Sequence, residues 1–227
     1  MQEQTYYAII FLILDSEMLI NMIKIQDNYE NTIIIQKSEF ICRLYRVNSL
    51  EEIESILESI RKKHYDATHN CYAYILGENQ EIQKCSDDGE PSKTAGAPMM
   101  DVLKKNNMTN ILAIVTRYFG GILLGAGGLV RAYSSSVSEC LKLAKKYTTK
   151  MQTKFQLTTS YAGYNSILKV IPYINIESTS FTSDVILLAS CDVDKYDSLE
   201  QDLYKYKISA NALNKIGDFP IEIPLDI

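Results

Sequence analysis

The segment from Val115 to Tyr133 constrains the fold more than any other part of the sequence. It contains five of the chain's ten glycines, all between Arg117 and Arg131. A continuous apolar run, Ile111–Val115, leads into it and is typical of a central strand. Apolar residues at helical spacing follow, so we predict a strand, a glycine-rich loop and a helix in direct succession. Such a junction presents backbone N–H groups and the positive end of a helix dipole, to which an anion can bind.

The glycines of this loop have two interpretations. The loop lacks the Gly-Lys-Ser/Thr of a Walker A sequence, and it lacks GxGxxG at the spacing of dinucleotide-binding proteins. A phosphate or carboxylate bound near Gly127 and Gly128 is one interpretation. The other is that the glycines only allow positive φ angles and close backbone packing. The candidate binding residues in the loop are Gly120, Gly121, Gly125, Gly127 and Gly128.

A second loop, Cys85–Pro98, carries three acidic residues, Asp87, Asp88 and Glu90. Carboxylates of this kind bind divalent cations or act as general bases. The same sequence is also ordinary turn chemistry, in which aspartates accept hydrogen bonds from backbone N–H groups. Because loops on a rigid scaffold often carry function, we predict that the acidic loop and the glycine-rich loop form the two walls of one cleft.

Four further side chains belong to the predicted site. Arg117, at the end of the apolar strand, and Arg131, one turn into the next helix, carry guanidinium groups that suit phosphates and carboxylates. Alternatively, one of them pairs internally with an acid of the Cys85–Pro98 loop. His69 opens a predicted strand, as either a proton shuttle or a hydrogen-bonded structural residue. Tyr118 lies where stacking on a ligand or a base is plausible.

Composition argues against several classes of protein. The net charge is −5, and residues 28–147 carry 15 Lys and Arg against 14 Asp and Glu. No part of the chain is therefore basic enough to indicate nucleic-acid binding from bulk charge alone. The five cysteines are scattered without a CxxC pair, and there are two histidines. A disulfide framework and a cysteine-based zinc site are thus disfavoured, and we expect no metal and no cofactor.

The chain is predicted to form two α+β domains, residues 28–147 and residues 148–227, with a polar hinge at the division. The second domain follows the order βαββαβ of the ferredoxin-like plait. Residues 1–27 form an N-terminal extension. Its apolar run, Tyr6–Leu14, is too short to span a bilayer. This run is either a non-native extension upstream of a later start or an added element that packs on the body.

Individual elements follow from apolar spacing and from capping residues. Ser49 and Glu52 form a capping box that opens a helix ending near Lys63. The other predicted elements of the first domain are strands at 31–35, 40–47, 69–76, 81–85 and 111–115, a turn at Lys37–Ser38 and a helix at 99–106. The second domain is predicted to have strands at 151–159, 174–181, 184–193 and 208–216, helices at 164–171 and 196–206, and Asp194 as an N-cap.

Three motifs resemble the signature of the YigZ/IMPACT family. They are ATHNCYAY at residues 67–74, SDDGEPSKTAGAP at residues 86–98 and VTRYFGGILLGAGGLVRAY at residues 115–133. The resemblance covers roughly residues 28–147, and the C-terminal part is similar to the small domain of bacterial members. It implies an α+β fold, with an N-terminal domain of the ribosomal protein S5 domain 2-like type and a C-terminal ferredoxin-like domain.

Two residues depart from the family pattern. Lys93 replaces the usual glycine before Thr94-Ala-Gly, and Leu123 stands where the family often has lysine. Loss of a cation beside the glycine-rich loop weakens an RNA or phosphate interpretation of that wall. Lys93 would partly restore the charge from across the cleft.

The resemblance also implies a role in translation. The two implied domains are similar to the last two domains of elongation factor G, and eukaryotic relatives are translational regulators that bind a partner of a stress-activated initiation-factor kinase. We therefore expect a cytoplasmic, non-enzymatic protein, with no membrane contact, that binds RNA, the ribosome or a protein partner through the two loops. One alternative is an enzyme acting on a phosphorylated or carboxylated small molecule, with Asp87 or Asp88 holding Mg²⁺ or acting as a base. Another is an adaptor in which the loops only lock the fold.

Overall fold

The computed structural model of the protein describes residues 22–225. These residues form two compact units that meet between Thr148 and Thr149, and the chain from Ile223 onward groups with the first unit. Each unit has its own hydrophobic core. The apolar run Tyr6–Leu14, whose role the sequence left open, lies outside the described residues.

The first unit is built on a five-stranded antiparallel sheet with the strand order β2-β3-β6-β4-β5. A tight turn joins its first two strands. We predicted the turn at Lys37–Ser38, but Gln36 and Lys37 are its central residues, with φ angles of 45° and 66°, and Ser38 already pairs with Ile35. Two positive φ angles match the right-handed twist of a two-residue hairpin. The strands are β2 (Tyr29–Ile35), β3 (Ser38–Arg46), β4 (His69–Leu76), β5 (Ile82–Ser86) and β6 (Ile111–Tyr118).

Helices cover both faces of this sheet. Helix α1 (Leu50–Lys63) packs Ile53 and Ile60 on one face. Helices α2 (Gly96–Lys105) and α3 (Gly125–Leu143) cover the other face, over the larger core. Successive side chains of a strand point to opposite faces, so two covered faces bury nearly every residue of β4 and β6. This explains the continuous apolar runs Cys71–Leu76 in β4 and Ile111–Val115 in β6.

The predicted capping box at the start of α1 forms, but its glutamate bonds to the N–H of the residue before the N-cap and not to that of the N-cap itself. The Ser49 Oγ accepts a hydrogen bond from the Glu52 N–H at 3.2 Å. The Glu52 carboxylate accepts from the Asn48 N–H at 2.9 Å, one residue before the N-cap. Two backbone donors that the helix would otherwise leave unpaired are thereby satisfied.

A short strand, β1 (Ile23–Ile25), was not predicted. It pairs with residues 146–148 in the first unit, with Ile25 opposite Lys146, and Ile25 is fully buried. Three residues are too few to show an apolar alternation, so this strand depends on contacts made by residues far away in the sequence.

The second unit has the predicted order βαββαβ. Its sheet order is β8-β9-β7-β10, with β7 and β9 antiparallel in the centre. Helices α4 and α5 contribute Ile167 and Leu199 to the core beneath the sheet. The N-cap of α5 is Asp192 and not Asp194, and the Asp192 carboxylate pairs with Lys150 and does not cap the helix. The elements are β7 (Lys146–Thr159), α4 (Tyr161–Val170), β8 (Asn175–Phe181), β9 (Val185–Asp192), α5 (Val193–Lys205) and β10 (Ala210–Leu225).

The expected α+β fold class is confirmed, with an S5 domain 2-like arrangement in the first unit and a ferredoxin-like arrangement in the second. Within residues 22–225, none of the helices has the length and apolar character needed to cross a membrane.

Candidate functional site

The acidic loop and the glycine-rich segment meet in the first unit around a cleft of about 380 Å³. Most of the lining is apolar and comes from the segment between β6 and the first turns of α3. His69, Glu90 and Arg117 provide the charged and titratable side chains of the cleft. The structure therefore brings together three of the predicted site residues and the Gly125 backbone.

Glu90 is the centre of a buried polar network. Its Oε1 accepts hydrogen bonds from Arg117 Nη1 at 2.7 Å and from the Tyr133 hydroxyl at 2.8 Å. Its Oε2 lies 3.8 Å from His69 Nε2. The side chains of Glu90 and Arg117 are 3% and 6% exposed. Arg117 is thus the arginine that pairs internally, and its charge is compensated inside the protein.

Aromatic rings hold the Arg117 guanidinium on two sides. Its Cζ lies 5.4 Å from the centroid of the Phe40 ring and 5.5 Å from that of Phe119. A cation over a ring face is attracted by the ring quadrupole, more strongly where water is excluded. Arg117 therefore links the core of the sheet to the first residue of the glycine-rich loop.

His69 is oriented by the acidic loop. Its Nδ1–H donates to the backbone oxygen of Asp88 at 2.8 Å, which turns Nε2 toward Glu90. The Asp88 carboxylate accepts from the Asn70 N–H at 2.7 Å. Asp88 itself has a φ angle of 43°, in the left-handed region that aspartate tolerates better than most residues. These bonds tie the acidic loop to the start of β4.

Asp87 caps helix α2 from the loop that precedes it. Its Oδ1 accepts from the N–H groups of Ala95 and Gly96 at 3.0 and 2.8 Å, and its Oδ2 accepts from the Lys93 N–H at 2.8 Å. Burial by itself would raise the pKa of Asp87. The three backbone hydrogen bonds outweigh burial, so the pKa is lowered. This carboxylate therefore has the structural role that turn chemistry predicted.

We expect Asp87→Asn to lower the free energy of unfolding near neutral pH by about 1–2 kcal/mol, because an amide cannot accept all three bonds. The folded-state pKa of Asp87 lies below its unfolded value. The stabilisation is therefore complete above about pH 4 and is lost as the pH falls through the folded-state pKa. Urea unfolding of both proteins at several pH values measures the difference. Asp101→Asn, an exposed change on the same helix, is the control. A difference that does not change with pH would contradict this account.

The glycines of the predicted site have separate roles. Gly120 lies against the β2–β3 turn, where an added Cβ would fall 2.0 Å from the Lys37 carbonyl carbon. Gly121 and Gly125 have φ angles of 83° and 69°. Helix α3 begins at Gly125, so Gly125, Gly127 and Gly128 belong to its first turn and not to a loop. Arg131 is accordingly in the second turn of the helix.

Arg131 and Tyr118 do not line the cleft. Arg131 is exposed on α3. The Tyr118 hydroxyl lies 2.9 Å from His64 Nδ1 and donates to Asp66 Oδ1 at 3.2 Å, so Tyr118 joins the end of α1 to β6. Burial, more than the nearby Arg43, lowers the pKa of His64.

The two departures from the family pattern take different positions. Leu123 lines the cleft and is 86% exposed. Lys93 is exposed, with its backbone N–H held by Asp87, and it is not part of the cleft lining. The suggestion that Lys93 replaces a missing cation across the cleft is therefore not supported by this geometry.

Two contributors to the network were not predicted as site residues. Tyr133 is fully buried on α3 and donates to Glu90. Ser38 is also fully buried, and its Oγ accepts from the Gly120 N–H at 3.1 Å and from Arg117 Nη2 at 3.4 Å. A buried tyrosine needs a partner for its hydroxyl, and this was the available signal for Tyr133. Ser38 had no such signal, because its partners are 79 and 82 residues away.

The site does not present an activated nucleophile. Burial raises the pKa of the Cys71 thiol to about 12 and raises the pKa of the Tyr133 hydroxyl far above its ordinary value. The carboxylates of Asp87 and Asp88 are occupied by backbone N–H groups. Within the described part of the chain, no group of three or more His, Cys, Asp or Glu side chains is arranged to hold a metal ion. The geometry is that of a binding cleft on a rigid polar network.

Fold and cleft together define a two-unit α+β protein whose candidate site is held by a buried Arg–Glu–Tyr network. The Impact N-terminal domain family matches residues 36–141. An IMPACT family member from Haemophilus influenzae is 34% identical over 173 residues, which are 74% of this chain and 84% of that protein. The chain belongs to the IMPACT family.

Two further comparisons agree with this assignment. IMPACT family member YvyE from Bacillus subtilis is 55% identical over 124 residues, which cover 55% of this chain and 57% of that relative. The match thus spans little more than half of that relative's length. A crystal structure of a hypothetical protein has a TM-score of 0.53 and 30% identity, and the match covers 86% of this chain and 97% of the other.

Proposed function

We propose that the protein is a cytoplasmic, non-enzymatic regulatory protein of the translation apparatus that binds a protein partner through its glycine-rich segment. The exposure of three apolar side chains is the observation that supports this segment as the binding surface. Phe119, Ile122 and Leu123 are 46%, 43% and 86% exposed, side by side in one short segment. Contiguous exposed apolar side chains of this kind mark interaction sites. The role in translation rests on the family resemblance.

Hydrogen bonds anchor the segment that carries these exposed side chains, so the segment is already ordered before a partner binds. The Phe119 N–H donates to Thr68 Oγ1 at 3.1 Å, and the Gly120 N–H donates to Ser38 Oγ at 3.1 Å. The Phe119 ring also stacks with Arg117. A segment already ordered before binding loses less conformational entropy in the complex. This favours recognition of a folded protein surface.

Protein contact is favoured over RNA contact at this surface. Arg117, one of the two arginines that the sequence offers for a phosphate contact, is buried and already paired with Glu90. The exposed side chains beside it are apolar, whereas RNA binding depends on cations at the surface and on counterion release. The buried thiol, and aspartates whose carboxylates accept from backbone N–H groups, support the non-enzymatic part of the proposal.

We place this protein partner on the ribosome, and the test is co-sedimentation of the purified protein with purified bacterial ribosomes over a salt series. We expect wild-type protein to sediment with ribosomes, with weak salt dependence because the contact is apolar. Ile122→Asp is expected to lower the bound fraction by about tenfold, because a carboxylate would be buried in the contact. The matched control is Ile34→Asp, since Ile34 is also apolar and is 73% exposed on strand β2.

The other outcomes distinguish the alternatives. No sedimentation of the wild type at low salt overturns the assignment to the ribosome. Sedimentation that Ile122→Asp does not affect overturns the choice of surface. A bound fraction that falls steeply with salt, and that Arg131→Ala reduces, would instead indicate an RNA contact made by the exposed arginine of α3.

A further inference from the structure

The cleft is amphipathic, with a polar inner end and an apolar mouth. Glu90 and Arg117 are buried at the inner end. Phe119, Leu123 and Leu124 line the remainder, beside Leu129 of helix α3. A volume of about 380 Å³ is within the range of small-molecule sites, which are mostly apolar with a few polar groups.

The N-terminus of α3 forms part of the same wall. Gly125 and Ala126, the first two residues of this 19-residue helix, line the cleft. The N-cap residue is Leu124, and no side chain caps the helix. The first N–H groups of a helix have no partner within the helix, and together they carry about half a unit of positive charge. An anion in the cleft would satisfy them.

Arg117 is a second and independent indication of a ligand. Its side chain is 6% exposed and lines the cleft. Nη1 donates to Glu90, but Nε is buried and has no hydrogen-bond partner among the described residues. A buried donor without a partner is rare in native proteins and calls for an explanation, such as a bound group.

Glu90 does not by itself exclude an anion from this cleft. Its Oε1 accepts from both Arg117 and Tyr133, so its charge is neutralised within the network. The charges of Arg117 and Glu90 balance each other. The partial positive charge of the α3 N-terminus therefore remains available to an anion in the cleft.

We propose that this cleft binds a small organic acid, in which a carboxylate or a phosphate monoester is attached to an apolar body. The anionic group lies at the uncapped N-terminus of α3 beside Arg117. The apolar body lies against Phe119 and Leu129. This site is distinct in kind from the protein-binding role proposed above, because its ligand is a free small molecule and its binding needs no partner protein.

The full-length protein is titrated with four probes by isothermal calorimetry and by two-dimensional NMR. Phenyl phosphate and phenylacetate combine an anion with an apolar ring, inorganic phosphate has only the anion, and benzyl alcohol has only the ring. We expect at least one of the two aromatic acids to bind about tenfold more tightly than either single-feature probe. The acid that binds more tightly shows whether the cleft prefers a phosphate monoester or a carboxylate. Failure of both acids to bind at millimolar concentration overturns the proposal.

A variant that weakens ligand binding without lowering the stability of the protein distinguishes loss of the site from misfolding. Ala126→Asp places a carboxylate in the exposed first turn of α3, where negative charge stabilises a helix and competes with an anion. We expect about tenfold weaker binding with an unchanged or higher melting temperature. Ser135→Asp makes the same charge change at an exposed position further along α3 and should leave binding unchanged.

Unchanged binding in Ala126→Asp, or an equal loss in Ser135→Asp, would overturn the proposal. None of these measurements involves ribosomes, so the result is independent of the proposed function.

Discussion

Replacing Glu90 by glutamine is expected to lower the free energy of unfolding by about 3–5 kcal/mol, because it leaves a buried arginine without a counter-charge. The Glu90 and Arg117 side chains are 3% and 6% exposed, and the ion pair between them is 2.7 Å long. Urea unfolding of the variant and the wild type gives the difference directly.

The control for this prediction is an exposed ion pair on helix α3. Lys142 and Glu139 also approach to 2.7 Å, but their side chains are 67% and 46% exposed. Glu139→Gln should therefore change the free energy of unfolding by less than about 0.5 kcal/mol. The double variant Glu90→Gln/Arg117→Met should be more stable than Glu90→Gln alone, since it no longer buries an unpaired charge. A loss below about 1 kcal/mol for Glu90→Gln would show that the network contributes little.

Gly120→Ala is expected to destabilise the first unit by about 1–3 kcal/mol or more, because the added methyl group has no space. Its Cβ would fall 2.0 Å from the Lys37 carbonyl carbon and 2.3 Å from the Ser38 nitrogen. These are backbone atoms of a tight turn, so they cannot move aside as a side chain can. Thermal and urea unfolding measure the loss.

The same substitution at Gly127 is the matched control. Nothing lies within 4 Å of the Cβ position at Gly127, and this residue is in the first turn of α3. Alanine is the better helix former, so Gly127→Ala should raise the free energy of unfolding by up to about 1 kcal/mol. Equal effects of the two variants would show that close packing at Gly120 is not what requires glycine.

Gly120→Ala and Ile122→Asp together separate an effect on stability from an effect on binding. Gly120 joins the anchored residue Phe119 to the exposed Ile122, and it contacts the β2–β3 turn. Its replacement should impair both stability and ribosome binding. Ile122→Asp changes an exposed side chain and should impair binding alone. This contrast tests whether the glycines position the interaction surface without themselves contacting the partner.

Local patterns were sufficient for most of the secondary structure. The Ser49 capping signal and the spacing of Ile53 and Ile60 predicted α1, and its observed end at Lys63 agrees with the prediction. The run Ile111–Val115 predicted the start of β6 but not its extension to Tyr118, because Thr116 and Arg117 are polar. They still belong to the strand because β3 and β4 pair with their backbone on both edges. Pairing with distant strands outweighed local polarity.

The sequence predicted part of the candidate cleft but not the roles of its residues. The motifs identified Glu90, Arg117 and His69, and all three line the observed cleft. The same motifs identified Asp87 and Asp88, whose carboxylates hold the loop. Two adjacent acids in one turn look equivalent in a sequence. Their environments differ because one faces the N-terminus of α2 and the other faces β4.

The sequence by itself determined the two α+β units, the family, and the presence of an acidic loop and a glycine-rich segment in the first unit. It could do so because apolar periodicity, capping residues and glycine content act over short stretches of chain. Only the tertiary structure decided that Arg117 is buried on Glu90 while Arg131 is exposed. It also decided that Gly120 serves packing and that Tyr133 completes the network. These outcomes depend on contacts between residues 27 to 83 positions apart, and the free energy of a buried charge or a close contact depends on partners that no local pattern specifies.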